Sequence, residues 1–116
     1  MSKFILFIRD EGADFSKYTA KEFEQLFARF GQWSQELSQK GKLVSGDKLK
    51  DDGGKTLKSV NGRLVTGGSY TSNASTVGGY YVIQAENYDE ALSLVKSCPA
   101  IEYGGSIEVR EIEIFE

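Results

Sequence analysis

Two apolar runs that do not alternate with polar residues constrain the fold of this chain most strongly. Residues 4–8 read Phe-Ile-Leu-Phe-Ile, and residues 80–83 read Tyr-Tyr-Val-Ile. A strand with one face in water alternates apolar and polar side chains, whereas a strand buried on both faces does not. Both runs are therefore predicted to be strands that are buried on both faces and central in their sheet.

Two helices are indicated by capping signals and by the spacing of apolar residues. Thr19 and Glu22 have the spacing of a capping box, and Gly41 supplies the end of the helix that follows. The apolar stripe of this helix is predicted to pack in the core and comprises Phe23, Leu26, Phe27, Phe30, Trp33 and Leu37. Asn87 and Glu90 repeat the capping spacing and predict a second helix over residues 88–97.

The remaining segments predict further strands and one loop. A short strand is expected around residues 43–45, and Asn61-Gly62 predicts a hairpin between residues 56–60 and 63–66. Residues 67–79 carry no charge and are predicted to form a loop. The closing strand, residues 107–114, changes its alternation near Arg110 and Glu111, which predicts a bulge there.

The order strand, helix, strand, hairpin, strand, helix, strand predicts an α+β, ferredoxin-like fold with an antiparallel sheet. A chain of 116 residues is about the size of one domain, so residues 1–116 are expected to form a single domain.

Composition excludes several kinds of chemistry. The chain has no histidine and one cysteine, Cys98, so it contains no imidazole base, no cysteine-rich zinc site and no internal disulfide. We expect no metal and no cofactor. The net charge of -3 does not favour nucleic acid, and the five-residue apolar run is too short for a membrane span or signal peptide. The chain is therefore expected in the cytoplasm, without a membrane partner.

Positive charge is concentrated in the middle of the chain. Residues 40–63 contain seven bases and three acids. Lysines on an exposed hairpin discourage edge-to-edge aggregation, and this is the simpler explanation of the excess. An anion-binding patch is the alternative.

Several spaced motifs in the second half of the chain match the pattern of a known family. Residues 65–70 read Val-Thr-Gly-Gly-Ser-Tyr and residues 78–83 read Gly-Gly-Tyr-Tyr-Val-Ile. Their spacing resembles the signature and following strand of the YCII-related family, in particular its DGPF branch. Cys98-Pro99 and residues 107–110 are similar to the end of the second helix and the closing strand of that family. The resemblance covers nearly the whole chain. It implies a homodimeric, ferredoxin-like protein of the dimeric α/β-barrel type, in a family whose members are mostly uncharacterised.

The sequence departs from the family pattern at two places. The segment that corresponds to Asp-Gly-Pro-Phe lacks both the aspartate and the proline. The other branch of the family is associated with a His/Asp pair on the first helix, and the corresponding positions here fall near Arg29 and Gln39. The resemblance therefore implies that histidine-based catalysis of the dehydrochlorinase type is absent. Whether the chain is an enzyme stays open, and we favour a protein that is not one.

Candidate site residues follow from the glycine-rich segment and its surroundings. Consecutive amides at residues 67–69 can form an anion-binding nest, although a flexible connection that needs positive φ is the simpler explanation. The predicted ligand-binding residues are Arg9, Gly67, Gly68, Ser69, Tyr70 and Tyr81. Asp47 and Tyr70 are weak catalytic candidates, and Asp10 is a further carboxylate at a strand end.

Three functional hypotheses follow. The first is a small-ligand binding module with a cleft between the first helix, residues 67–79 and the sheet. The second is a histidine-independent enzyme of the lyase or hydrolase type, using Asp47 or Tyr70 with Arg9. The third is a protein-interaction or regulatory partner linked to transcription. A homodimer that packs sheet against sheet is expected in each case.

Overall fold

The computed structural model describes residues 1–10, 15–50, 54–68 and 77–115. The elements are β1 (Ser2–Arg9), α1 (Ala20–Gln39), β2 (Leu43–Lys48), β3 (Thr56–Val60), β4 (Arg63–Gly67), β5 (Val77–Ala85), α2 (Tyr88–Val95), a 3-10 turn (Pro99–Ile101) and β6 (Ser106–Glu111). Four strands form an antiparallel sheet in the order β2-β5-β1-β6, and β3 and β4 form a separate two-stranded sheet. The predicted ferredoxin-like α+β fold is confirmed, with β1 and β5 in its centre.

The helices cover only one face of the four-stranded sheet. Along β1, Phe4, Leu6 and Ile8 are buried, and they pack with residues of α1 and α2 such as Trp33 and Val95. The side chains between them on β1 are only partly buried. The prediction that the apolar strands are buried on both faces is therefore wrong for the single chain.

The second sheet face, which neither α1 nor α2 covers, is apolar at its centre and carries charged side chains such as Glu108 and Arg110 beside that centre. Ile5 pairs with Val82 and Phe7 pairs with Tyr80, so these four side chains project from the same side. We call this surface, made of Ile5, Phe7, Tyr80 and Val82, the open face. The lack of alternation in both strands is explained by one face in the core and one set of apolar side chains on the other face that the chain leaves partly exposed.

The predicted helix starts are confirmed. The Thr19 hydroxyl accepts from the Glu22 amide at 3.1 Å, and the Glu22 carboxylate accepts from the Thr19 amide at 3.3 Å, which completes the capping box. At the start of α2, Asn87 accepts from the Glu90 amide at 2.9 Å. This helix ends at Val95, two residues before the predicted end.

Both ends of the segment predicted as one loop belong to strands in the structure. Gly67 ends β4, while Gly78 and Gly79 belong to β5, which begins at Val77. Residues 69–76 lie outside the described residues. The predicted hairpin is confirmed, with positive φ at both turn residues, 51° at Asn61 and 79° at Gly62.

The closing strand has no bulge. β6 pairs with β1 in one continuous register, and the amide of Ile112 extends the pairing by donating to β1 at 2.8 Å. The bulge predicted near Arg110 and Glu111 is therefore wrong. Ile107 and Val109 lie on the helix-covered side, whereas Ile112 falls on the other side because the alternation continues unbroken.

Burial of Cys98 makes the free energy of unfolding depend on pH in the alkaline range. The side chain is 1% exposed, and this burial raises the pKa of the thiol to about 11. An unfolded chain ionises the thiol near the ordinary value of 9.0, so the stabilising effect is complete below pH 9 and is lost as the pH rises towards 11. We expect the free energy of unfolding to fall by about 2 kcal/mol more between pH 8 and 11 than in Cys98→Ala. Urea denaturation at both pH values measures this difference, and equal losses in the two proteins would contradict it.

Candidate functional site

A cavity of about 360 Å³ lies between α1 and the helix-covered face of the sheet. Its size is that of a site for a small organic molecule. The lining is mostly apolar and aromatic, and it comprises Ile8, Asp10, Phe15, Phe23, Leu26, Phe27, Phe30, Asp47, Lys48, Gly78, Gly79, Tyr81 and Tyr103.

Aromatic rings form one wall of the cavity. Phe15 lies at the centre of this wall, with ring centroids 5.0 Å from Tyr103 and 5.7 Å from Phe23. Phe30 contacts Tyr103 at 6.3 Å, and Phe27 stands beside Phe23 with half of its surface exposed. Phe23, Phe27 and Phe30 belong to the stripe predicted to fill the core. In the structure they line a space that the core leaves open.

Tyr81 on β5 lies deeper, between the cavity and the core. Its ring packs edge-on against Trp33 with centroids 5.1 Å apart. Gly46, its partner on β2, carries no side chain, and a Cβ there would collide with the Tyr81 ring. The glycine therefore permits the ring to lie across the neighbouring strand.

A carboxylate-phenol pair is one polar feature of the cavity, which Asp47 and Lys48 also line. The Tyr103 hydroxyl donates a hydrogen bond of 3.1 Å to the Asp10 carboxylate. Burial, together with the negative charge of Asp10, raises the pKa of Tyr103 well above its usual range, so the phenol keeps its proton at physiological pH. A Cβ at Gly78 would collide with the Asp10 carboxylate, so this glycine leaves the space that the carboxylate occupies.

Two predicted site residues engage partners of their own. Arg9 follows Phe7 on the open side of β1, and its guanidinium forms a 2.8 Å salt bridge with Glu108. Asp47 lies at the cavity margin, but its carboxylate accepts a 3.0 Å hydrogen bond from the Tyr80 hydroxyl, which belongs to the open face. The Asp47 carboxylate in turn raises the pKa of Tyr80.

The other predicted residues are divided between the cavity and the hairpin. Tyr81 lines the cavity, whereas Gly67 and Gly68 are exposed at the end of β4 and are not among its lining residues. Ser69 and Tyr70 lie outside the described residues. Asp10, the residue that follows β1, has a carboxylate that lines the cavity.

Two other classes of site are absent from the described ranges. Within them, no three or more cysteine, aspartate or glutamate side chains are grouped so that they could hold a metal ion. None of the helices in the same ranges is long and apolar enough to cross a membrane.

Comparison with known proteins relates the chain to one family. The family model described as YCII-related domain matches residues 3–116. Among solved structures, 5-chloro-2-hydroxyhydroquinone dehydrochlorinase from Burkholderia phenoliruptrix AC1100, in complex with 2,5-dihydroxybenzoquinone, superposes with a TM-score of 0.53. The two sequences are 18% identical, and the match covers 96% of this chain and 93% of that one. At this identity the likeness shows the fold alone. No curated protein matches the sequence significantly.

Proposed function

The chain belongs to the YCII-related domain family, and from this premise we propose that it is a small-ligand binding protein that acts as a homodimer. Its ligand is a small, ring-shaped organic molecule held in the cavity between α1 and the sheet. One observation carries this proposal: a cavity of about 360 Å³ with an aromatic wall is lined by the hydrogen-bonded carboxylate-phenol pair of Asp10 and Tyr103.

The chemistry of the lining indicates the ligand class. Aromatic rings attract flat apolar rings in stacked or edge-on contacts. The Asp10 carboxylate accepts hydrogen bonds, so a ring that carries a hydroxyl group fits beside it. The dehydrochlorinase with the same fold was solved with a hydroxylated quinone, which supports a hydroxylated six-membered ring as the ligand.

The open face supports the homodimer. Ile5, Phe7, Tyr80 and Val82 form an apolar surface in the middle of the sheet, and the helices of the chain lie on the other side. A continuous apolar surface of this kind is typical of an interface, and a two-fold related copy supplies the matching surface. We also place the protein in the cytoplasm, where a buried free thiol such as Cys98 stays reduced.

Truncating Phe27 tests the cavity as the binding site. Phe27→Ala removes one aromatic contact from the cavity mouth, so we expect the affinity for 2,5-dihydroxybenzoquinone to fall about tenfold. Leu92→Ala on α2 is the matched control, because both side chains are 50% exposed and Leu92 does not line the cavity. Isothermal titration calorimetry of the three proteins measures the change. Absence of binding to the unmodified chain, or equal affinities for the two variants, would contradict the proposal.

The Asp10–Tyr103 pair also supports a second candidate, a histidine-independent enzyme. Asp10 is placed to take a proton from a ring hydroxyl, while the protonated Tyr103 phenol donates a hydrogen bond. Chloride release from 5-chloro-2-hydroxyhydroquinone separates the two candidates. Release that is lost in Asp10→Asn supports an enzyme, whereas binding without release supports a binding protein.

A further inference from the structure

We propose that residues 112–115 of one copy add as a third strand to the β3–β4 hairpin of a second copy. This inference rests on the homodimer proposed above and names two segments that meet in it. It differs from the packing of the open faces, which involves the four-stranded sheet.

The hairpin exposes apolar side chains that the chain itself does not cover. Leu57 is 64% exposed and Leu64 is 75% exposed. Of all hairpin strand residues only Thr56 is partly buried. A two-stranded sheet alone is marginally stable in water, so the hairpin gains from a third strand.

The pairing of the hairpin separates its side chains into two unlike faces. Leu57 and Thr66 are partners, as are Ser59 and Leu64, so one face carries two leucines and no charge. The other face presents Lys58 beside Val65 and Arg63 beside Val60. Residues 54–68 contain three bases and no acid.

The C-terminal segment has the complementary pattern. Ile112 and Ile114 share one side of an extended chain, while Glu111 and Glu113 share the other. Ile114 and Phe115 are 66% and 86% exposed, so the chain leaves this segment uncovered as well. Residues 111–115 contain two acids and no base.

Pairing the C-terminal segment with the hairpin matches apolar side chains on one face and opposite charges on the other. With the isoleucines on the face of the hairpin leucines, the strand alternation places Glu113 on the face that carries Lys58 and Arg63. Backbone hydrogen bonds along the free hairpin edge add to this contact, as in other cases where a peptide extends a sheet.

The topology favours a second copy over the chain's own segment. β2 leads to the hairpin from the end of the sheet where Lys48 is level with Ile8. β6 runs towards the opposite end, where Glu111 is level with Phe4. The C-terminal segment therefore leaves the four-stranded sheet at the end opposite to the one from which β2 leads to the hairpin.

Cross-linking between two differently sized chains tests the inference. One chain carries Leu64→Cys, and the other carries Ile114→Cys and a mass tag. Cys98 does not react with the cross-linker at pH 7, because its side chain is 1% exposed and the pKa of its thiol is raised to about 11. The control replaces Ile114→Cys in the tagged chain by Gln35→Cys, which lies on the exposed side of α1. With a short bis-maleimide, we expect the Leu64→Cys and Ile114→Cys chains to give at least ten times more mixed product than the Leu64→Cys and Gln35→Cys chains.

Charge exchange gives a second readout. Glu113→Lys should reduce the yield of mixed product two- to fivefold, roughly the effect of one cross-strand charge pair, and Lys58→Glu in the partner should restore it. Mixed product no greater than in the Gln35 control would overturn the inference, as would cross-linking within a chain that carries both cysteines. Light scattering distinguishes failure of this inference from failure of the proposed homodimer. A dimeric mass without cross-linking would contradict only the contact between residues 112–115 and the hairpin, whereas a monomeric mass would contradict both that contact and the homodimer.

Discussion

Phe7→Glu is expected to convert the homodimer into a monomer. Phe7 lies in the centre of the open face, between β5 and β6, and its partner Tyr80 is on the same side. A glutamate there would add one carboxylate from each copy to the interface, directly opposite Glu108 on β6. The neighbouring Arg9 guanidinium already forms a salt bridge with Glu108. Burial of the excess negative charge costs several kcal/mol, so we expect dimerisation to weaken by about a hundredfold or more.

Light scattering after size exclusion at micromolar concentration measures this effect, and circular dichroism verifies that the variant is folded. Leu92→Glu is the control, because Leu92 is 50% exposed on α2, which packs on the helix-covered side of the sheet. It should leave the dimer intact. A monomeric unmodified chain, or a Phe7→Glu variant that stays dimeric, would contradict the open face as the interface.

Leu6→Ala should destabilise the chain far more than truncation of a half-exposed leucine. Leu6 is 0% exposed in the central strand, between Tyr81 and Val109 of the flanking strands. Truncation removes apolar contacts and leaves a cavity, which lowers the free energy of unfolding by about 2–5 kcal/mol. Leu92→Ala removes the same atoms from a half-exposed position and should cost less than about 1 kcal/mol.

Urea denaturation at one protein concentration compares the three proteins, since the stability of a dimer depends on concentration. Similar losses in the two variants would show that the helix-covered face is not the main core.

Local signals in the sequence predict most of the fold. The capping residues Thr19 and Asn87 satisfy amides only three positions away, so their effect is visible without tertiary structure. Asn61-Gly62 sets the hairpin turn in the same local way, because both residues adopt positive φ. The central position of β1 and β5 follows from their unbroken apolar runs.

The composition of the site depends on which face of the sheet each strand residue points to, and local sequence patterns do not determine this. Side chains alternate along a strand, so Arg9 points to the open side and Asp10 to the cavity. The prediction of Arg9 missed the cavity by one residue. The change in the apolar-polar alternation near Glu111 has two explanations that give the same sequence pattern. Either the strand contains a bulge, or the strand is regular and the later apolar side chains point to the other face of the sheet; the structure shows the second.

The sequence also does not show which residues of the aromatic stripe of α1 pack in the core and which line the cavity. Trp33 is buried in the core, whereas Phe23 and Phe27 of the same stripe line the cavity. Their apolar character is alike, so the sequence pattern does not separate the buried members of the stripe from those that line the cavity. The glycines opposite the stripe were the available signal, since Gly78 and Gly79 leave room where other strand residues would fill it.

Amide chemical shifts during titration with 2,5-dihydroxybenzoquinone test the central claim most directly. If the ligand site is the cavity between α1 and the sheet, the largest changes should occur at Asp10, Gly79 and Tyr103 and should saturate with one ligand per chain. Saturable changes confined to the hairpin, residues 56–67, or no saturable change at all, would contradict a ligand site in the cavity.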